Sequence, residues 1–167
     1  LTMRFFMYAD NLNPIQLKRR APEHQFLFRA YVPAHTIKFD RWSNQWRCGI
    51  ATIVPSAGER VWGAVFELTP EDVIELDKFE GDLPEDAYRH VEVHVFTEDG
   101  QKEFVTTHVG QAIGKFKPKE HYLDWVMAGI RKWVLLDECI EMWNLFRTKY
   151  FARIGINPLI VLTLFGL

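Results

Sequence analysis

An α+β domain is what this sequence predicts, and three observations carry the prediction. Several stretches alternate apolar and polar residues at period two, and others repeat apolar residues three and four apart. A length of 167 residues with 48% hydrophobic and 14% aromatic content suffices for one buried core.

Residues 4–8 form a first strand. It enters the loop Tyr8, Ala9, Asp10, Asn11, Leu12, after which Asn13 caps and Pro14 opens a short helix through Arg20. A strand that ends in small residues and feeds a helix turns backbone N–H groups outward, a nest suited to an anion or an oxyanion; an ordinary strand-to-helix turn shows the same pattern. Residues 27–34 and 36–40 read as two strand segments, with Pro33 at a bulge or an edge. Residues 41–48 read as a loop whose Trp42 and Trp46 either wall a ligand site or pack over a barrel end. Residues 49–54 and 60–68 read as two strands with a hairpin signal, Pro55-Ser56-Ala57-Gly58, between them. Within them Gly49 and Gly63 mark close backbone approach.

The next helix starts at Thr69-Pro70, with Glu71 and Asp72 at its positive end. Val73, Ile74, Leu76 and Phe79 give it an apolar stripe, and Gly81 ends it. After a loop over 82–87, residues 88–97 place Val91, Val93 and Val95 on one face and His90, Glu92 and His94 on the other, and Glu98-Asp99-Gly100 turns the chain back into residues 103–109. The His90, Glu92, His94 row has the spacing to hold a metal, and equally the look of a solvated strand face. Residues 119–134 form an amphipathic helix through Tyr122, Trp125, Val126, Gly129, Ile130 and Trp133. A second helix, 137–148, carries Ile140, Trp143 and Leu145.

Net charge of −2 and a pI near 6.3 leave no electrostatic footprint for nucleic acid or an anionic membrane. The basic run Lys18, Arg19, Arg20 reads as a solvated helix face. Cys48 and Cys139 make no CxxC or zinc pattern and read as reduced thiols. The apolar run at 5–8 is too short for a signal segment, so a cytoplasmic location is expected. Residues 1–150 are expected to form one domain. Residues 151–167 form an apolar tail, broken by Asn157 and Pro158 and short of the roughly 20 residues that span a bilayer. It is expected to act as a terminal strand or docking segment, one surface through which two copies of the chain pair.

Nucleophile elbows, dinucleotide and phosphate loops, and HExxH are absent from the sequence. What remains is a carboxylate at a helix-to-loop junction. Glu80 follows Phe79 and precedes Gly81, Leu83 and Pro84, a setting that partly desolvates a carboxylate and suits a general base; a solvated helix-end acid fits the same position.

Taken in order, Tyr8-x-x-Asn11-Leu12, Gly-Ile-Ala-Thr-Ile (49–53), Val-Trp-Gly-Ala-Val-Phe-Glu-Leu (61–68), Leu-Asp-x-x-Glu-Gly (76–81), Tyr88 and Lys-Pro-x-x-x-Tyr (117–122) resemble the γ-glutamylcyclotransferase family over roughly residues 3–145. The resemblance implies a small mixed β-barrel flanked by helices, with a cavity at the barrel mouth. It implies a small-molecule γ-glutamyl substrate converted to 5-oxoproline and a free amine, with no cofactor and no metal. Glu80 would move the proton, while Tyr8, Ala9, Asp10, Asn11 and Leu12, with Tyr88, would hold the substrate. The family loop is usually Tyr-Gly-Ser-Asn, so Ala9 and Asp10 depart from it. That departure leaves two alternatives open: a ligand-binding member with impaired turnover, and an enzyme for a γ-glutamyl group carried on a larger biosynthetic intermediate.

Overall fold

Five strands close on themselves in the computed structural model of the chain, which describes residues 1–79, 88–134 and 136–152. They are β1 (Met3–Met7), β2 (Gln25–Ser43), β3 (Cys48–Leu68), β4 (Arg89–Thr97) and β5 (Lys102–Val109), in the order β1-β3-β2-β4-β5. Of the five neighbouring pairs four are antiparallel and one is parallel: β3 pairs antiparallel with β1 and β2, β4 antiparallel with β2 and β5, and β1 meets β5 in parallel through Phe5–Thr106 and Phe6–Thr107. This is the small mixed barrel the resemblance implies. Around it lie α1 (Pro14–Arg20), α2 (Pro70–Asp77), α3 (Glu120–Gly129) and α4 (Asp137–Phe151), with a 3₁₀ turn at Asp10–Leu12 and a π-helical turn at Ile130–Val134. Among the described residues no helix is long and apolar enough to cross a membrane.

The caps form as their residue types dictate. Asn13 Oδ1 accepts from the amides of Ile15 (2.9 Å) and Gln16 (3.3 Å), and its Nδ2 donates to the Trp125 carbonyl, so one side chain starts α1 and ties it to α3. Thr69 Oγ1 accepts from the Asp72 amide at 3.1 Å and starts α2.

Three expectations about elements are corrected. First, the turn signal at 55–58 does not reverse the chain, because β3 runs unbroken for 21 residues against β2. The register passes from Pro33–Arg60 to His35–Pro55, so residues 56–59 oppose Ala34 alone. Ala34 and Gly58 both take positive φ, 54° and 80°, and a wide bulge absorbs the turn residues that would otherwise make a hairpin. Second, residues 41–43 continue β2, and the tight reversal is confined to 44–47, with Arg47 at φ 55°. Third, two apolar stripes are narrower than expected: Ile74 and Phe79 are exposed while Val73 and Leu76 are buried, and Leu145 of α4 is exposed while Trp143 is fully buried. Gly81, Leu135, the 82–87 loop and the tail from 153 onward lie outside the described residues.

Phe5, Phe6, Phe66, Leu12, Tyr122 and Trp143 are among the largest fully buried side chains of the core. Two glycines set how closely the layers approach. A Cβ on Gly63 of β3 would stand 2.2 Å from the Met7 carbonyl oxygen, and a Cβ on Gly129 of α3 would stand 2.2 Å from the Leu12 carbonyl carbon. Real Cβ atoms do not come that close, so helix α3 can lie directly on the backbone of the 3₁₀ turn only because residue 129 has no side chain.

Candidate active site

Where β1 leaves the barrel, the chain bends through Tyr8, Ala9, Asp10 and Asn11, and these four residues line a cavity of about 260 Å³. Tyr8 is buried and its phenol donates to the His108 carbonyl at 2.8 Å, pinning the start of the loop to β5. Ala9 is buried at φ −136°, outside the left-handed region that favours glycine. Leu12 belongs to the core: its side chain is fully buried and its amide donates to the Ala9 carbonyl at 3.0 Å, so it supports the loop without lining the cavity.

Beneath the loop lies a polar network. Gln16 Nε2 donates to Asp10 Oδ2 (2.7 Å) and Asn11 Oδ1 (2.8 Å), and its Oε1 accepts from the Trp125 indole. Arg20 donates to Asn11 Oδ1 (3.0 Å) and Gln45 Oε1 (3.1 Å), and its guanidinium stands 3.8 Å from Asp10 Oδ2. The charge that Asp10 introduces is therefore matched by a buried cation. Arg20 corrects an expectation: Lys18 and Arg19 are exposed, but Arg20 is only 5% accessible and lines the cavity. Its signal in the sequence is its spacing, four residues after Gln16 and three after Leu17 on the buried face of α1.

The opposite wall comes from the end of β2, the β2–β3 reversal and Tyr88, the residue before β4. Trp42, Asn44 and Trp46 line the cavity; Trp46 also packs on Tyr122 and Trp125, so the tryptophans of this segment both wall the hollow and close the barrel end. The Tyr88 phenol donates to the Ala51 carbonyl at 3.0 Å, and Arg41, itself buried, stacks over the Tyr88 ring at 5.2 Å and donates to the Gln111 carbonyl. Tyr122 underlies this wall: its hydroxyl accepts from the Ala51 amide at 3.2 Å. Burial first, and the negative charge of Asp10 second, push its pKa well above the usual phenol value, so it stays a neutral support.

Glu80 lies outside the described residues. The two residues before it, Lys78 and Phe79, line the cavity, and the Arg20 guanidinium sits 4.4 Å over the Phe79 ring. The His90, Glu92, His94 row does not gather as a metal set: the His94 ring packs on Phe104, while His90 turns toward His108 and Asp77. Cys48 and Cys139 are buried and free; burial pushes Cys139 to about 12 and raises Cys48 as well.

Residues 60–141 match the model of the AIG2-like family. The γ-glutamylcyclotransferase of Mus musculus is 30% identical over 105 residues, 60% of this chain and 55% of that protein. Its Homo sapiens counterpart is 31% identical over 102 residues, 59% and 54%. A solved structure of an uncharacterized Homo sapiens protein superposes with a TM-score of 0.79 at 26% identity, covering 86% of both chains. In sequence the chain is similar to the γ-glutamylcyclotransferases and to the AIG2-like family. A structure described as a γ-glutamyl cyclotransferase shares the fold, with a TM-score of 0.82 at 23% identity over 100% of both chains. The chain spans about half the length of the curated family relatives it matches.

Proposed function

We propose that the chain is a γ-glutamylcyclotransferase-type enzyme that converts a γ-glutamyl amino acid or amide into 5-oxoproline and the free amine. The observation that carries this reading is the cavity itself. It is bounded by the Tyr8–Asn11 loop on one side and, on another, by Lys78 and Phe79, the residues that lead into Glu80. Among the described residues lining it, Arg20, Arg41 and Lys78 stand against Asp10, a balance that favours a substrate bearing a carboxylate.

In this reading Glu80 takes a proton from the α-ammonium of the γ-glutamyl group. The freed amine attacks its own γ-carbonyl, a C–N bond forms within the five-membered ring, and negative charge develops on the carbonyl oxygen. Backbone donors of the loop stabilise that oxyanion, and Tyr88 contributes to holding the glutamyl end. Glu80 then returns the proton to the departing nitrogen as the original C–N bond breaks, and the second proton shed by the ring nitrogen passes through the same carboxylate to the released amine, which leaves as an ammonium. Both reacting groups belong to one molecule, so a hollow that forces the substrate to curl supplies much of the acceleration. A second reading, an enzyme for a γ-glutamyl group on a larger metabolite, is favoured by the Trp42–Trp46 wall and its half-exposed Trp42.

An assay for released 5-oxoproline across γ-glutamyl amino acids and bulkier γ-glutamyl amides distinguishes the readings. Wild-type turnover is expected, with kcat reduced by at least about 100-fold in Glu80→Gln. Product formed at an undiminished rate by Glu80→Gln would remove the assignment of the base. Binding without product from any substrate would leave a ligand-binding member in place of an enzyme.

A further inference from the structure

His90 of β4 and His108 of β5 are direct cross-strand partners, so their side chains leave the same face of the sheet, with ring centroids 4.9 Å apart. Asp77, the last residue of α2, reaches them from a third element. Its Oδ1 lies 2.8 Å from Nε2 of His90 and 2.8 Å from Nε2 of His108. The ring of Phe5 flanks both imidazoles, at 5.3 Å from His90 and 5.1 Å from His108, and fixes their orientation. His108 is buried, while His90 and Asp77 keep access to solvent. The three donor atoms all lie within 4.8 Å of one another.

We propose that Asp77, His90 and His108 form a binding site for a single divalent transition-metal ion of the zinc class. The donor set decides the class: two imidazole nitrogens and one carboxylate oxygen suit zinc and its borderline neighbours, whereas calcium and magnesium take oxygen ligands. A tetrahedral ion with bonds of about 2.0–2.2 Å needs its donors about 3.3 Å apart, so the Asp77 oxygen withdraws by a few tenths of an ångström and the two imidazole nitrogens, within 4.8 Å of each other here, adjust around the ion. Each imidazole must then offer its Nε2 lone pair, the proton on that nitrogen moving to Nδ1 or to solvent. Three protein ligands leave a fourth position for water. The ion would strap the end of α2 to the β4–β5 hairpin. This proposal rests on neither Glu80 nor turnover.

The test is titration of Zn²⁺ alone into the full chain after dialysis against a chelator, followed by calorimetry, with Co²⁺ as a spectroscopic stand-in. One equivalent is expected to bind, with the visible absorption of Co²⁺ in a tetrahedral nitrogen and oxygen field. Affinity should fall at least about tenfold in His90→Ala, His108→Asn and Asp77→Asn, and stay unchanged in His94→Ala. His90 is exposed, so His90→Ala keeps the fold, which circular dichroism verifies. Substoichiometric binding to the wild type, or affinity undiminished in His90→Ala, overturns the proposal.

Discussion

The loop that leaves β1 has two sides of opposite character. On one side α3 lies on its backbone: Gly129 meets Leu12 with no room for a methyl group, Asn13 bonds the Trp125 carbonyl, and Leu12 is fully buried. On the other side Tyr8, Ala9, Asp10 and Asn11 face a cavity, where charge is matched by Gln16 and Arg20 and space is left open. The packed side holds the loop in shape, and the open side keeps room beside a matched pair of charges. Asp10 is accommodated there because Gln16 and Arg20 meet its charge.

The sharpest way to break this contrast is Gly129→Ala. The added methyl would meet backbone that cannot rotate away, so a loss on the order of 3 kcal/mol is expected, lowering the thermal midpoint by about 10 °C. A midpoint unchanged within error would show that α3 does not rest on the loop.

A smaller effect is expected from Arg20→Ala, which removes the cation matched to Asp10 and the guanidinium stacked on Phe79. Gln16 still donates to both Asp10 and Asn11, so the carboxylate is not stranded, and the cost should be about 2 kcal/mol by chemical denaturation, less than a fully buried charge would exact.

The smallest effect on stability belongs to Asp10→Ser, about 1 kcal/mol, because Arg20, although it loses its counter-charge, keeps its bonds to Asn11 and Gln45. Its effect should appear in specificity. With Asp10 gone, Arg20 loses its counter-charge, and kcat/KM for γ-glutamyl substrates with an acidic leaving group should rise relative to neutral ones by about tenfold, roughly 1.4 kcal/mol. Equal kcat/KM ratios in the two proteins would show that Asp10 does not touch the selectivity of the cavity.

Local signals are legible in the sequence where a residue acts on its own neighbours. Asn13-Pro14 and Thr69-Pro70 start helices because capping is a contact over two or three residues, and Gly63 marks a close approach because nothing larger fits. Turn residues misled where a partner strand decided the outcome: Pro55 and Gly58 promise a reversal, but β2 stays paired on both sides of them and a bulge takes up the slack. Arg20 was hidden by its basic neighbours. The meeting of Asp77, His90 and His108 depends on a register between β4 and β5 and on where α2 ends, neither of which a linear pattern states. The order of motifs conveyed the barrel, and thereby the hollow at its mouth, more fully than periodicity did.

The two short parallel rungs between β1 and β5 have one more consequence. They are sewn by the Thr107 hydroxyl bonding Phe6 and the Tyr8 phenol bonding His108, ties that reach across about a hundred residues of chain. A nascent polypeptide can zip β2 to β3 early, yet it owns no hollow until β5 has emerged and found the first strand. The pocket is thus a long-range feature of the chain, complete only once the β1–β5 seam has closed.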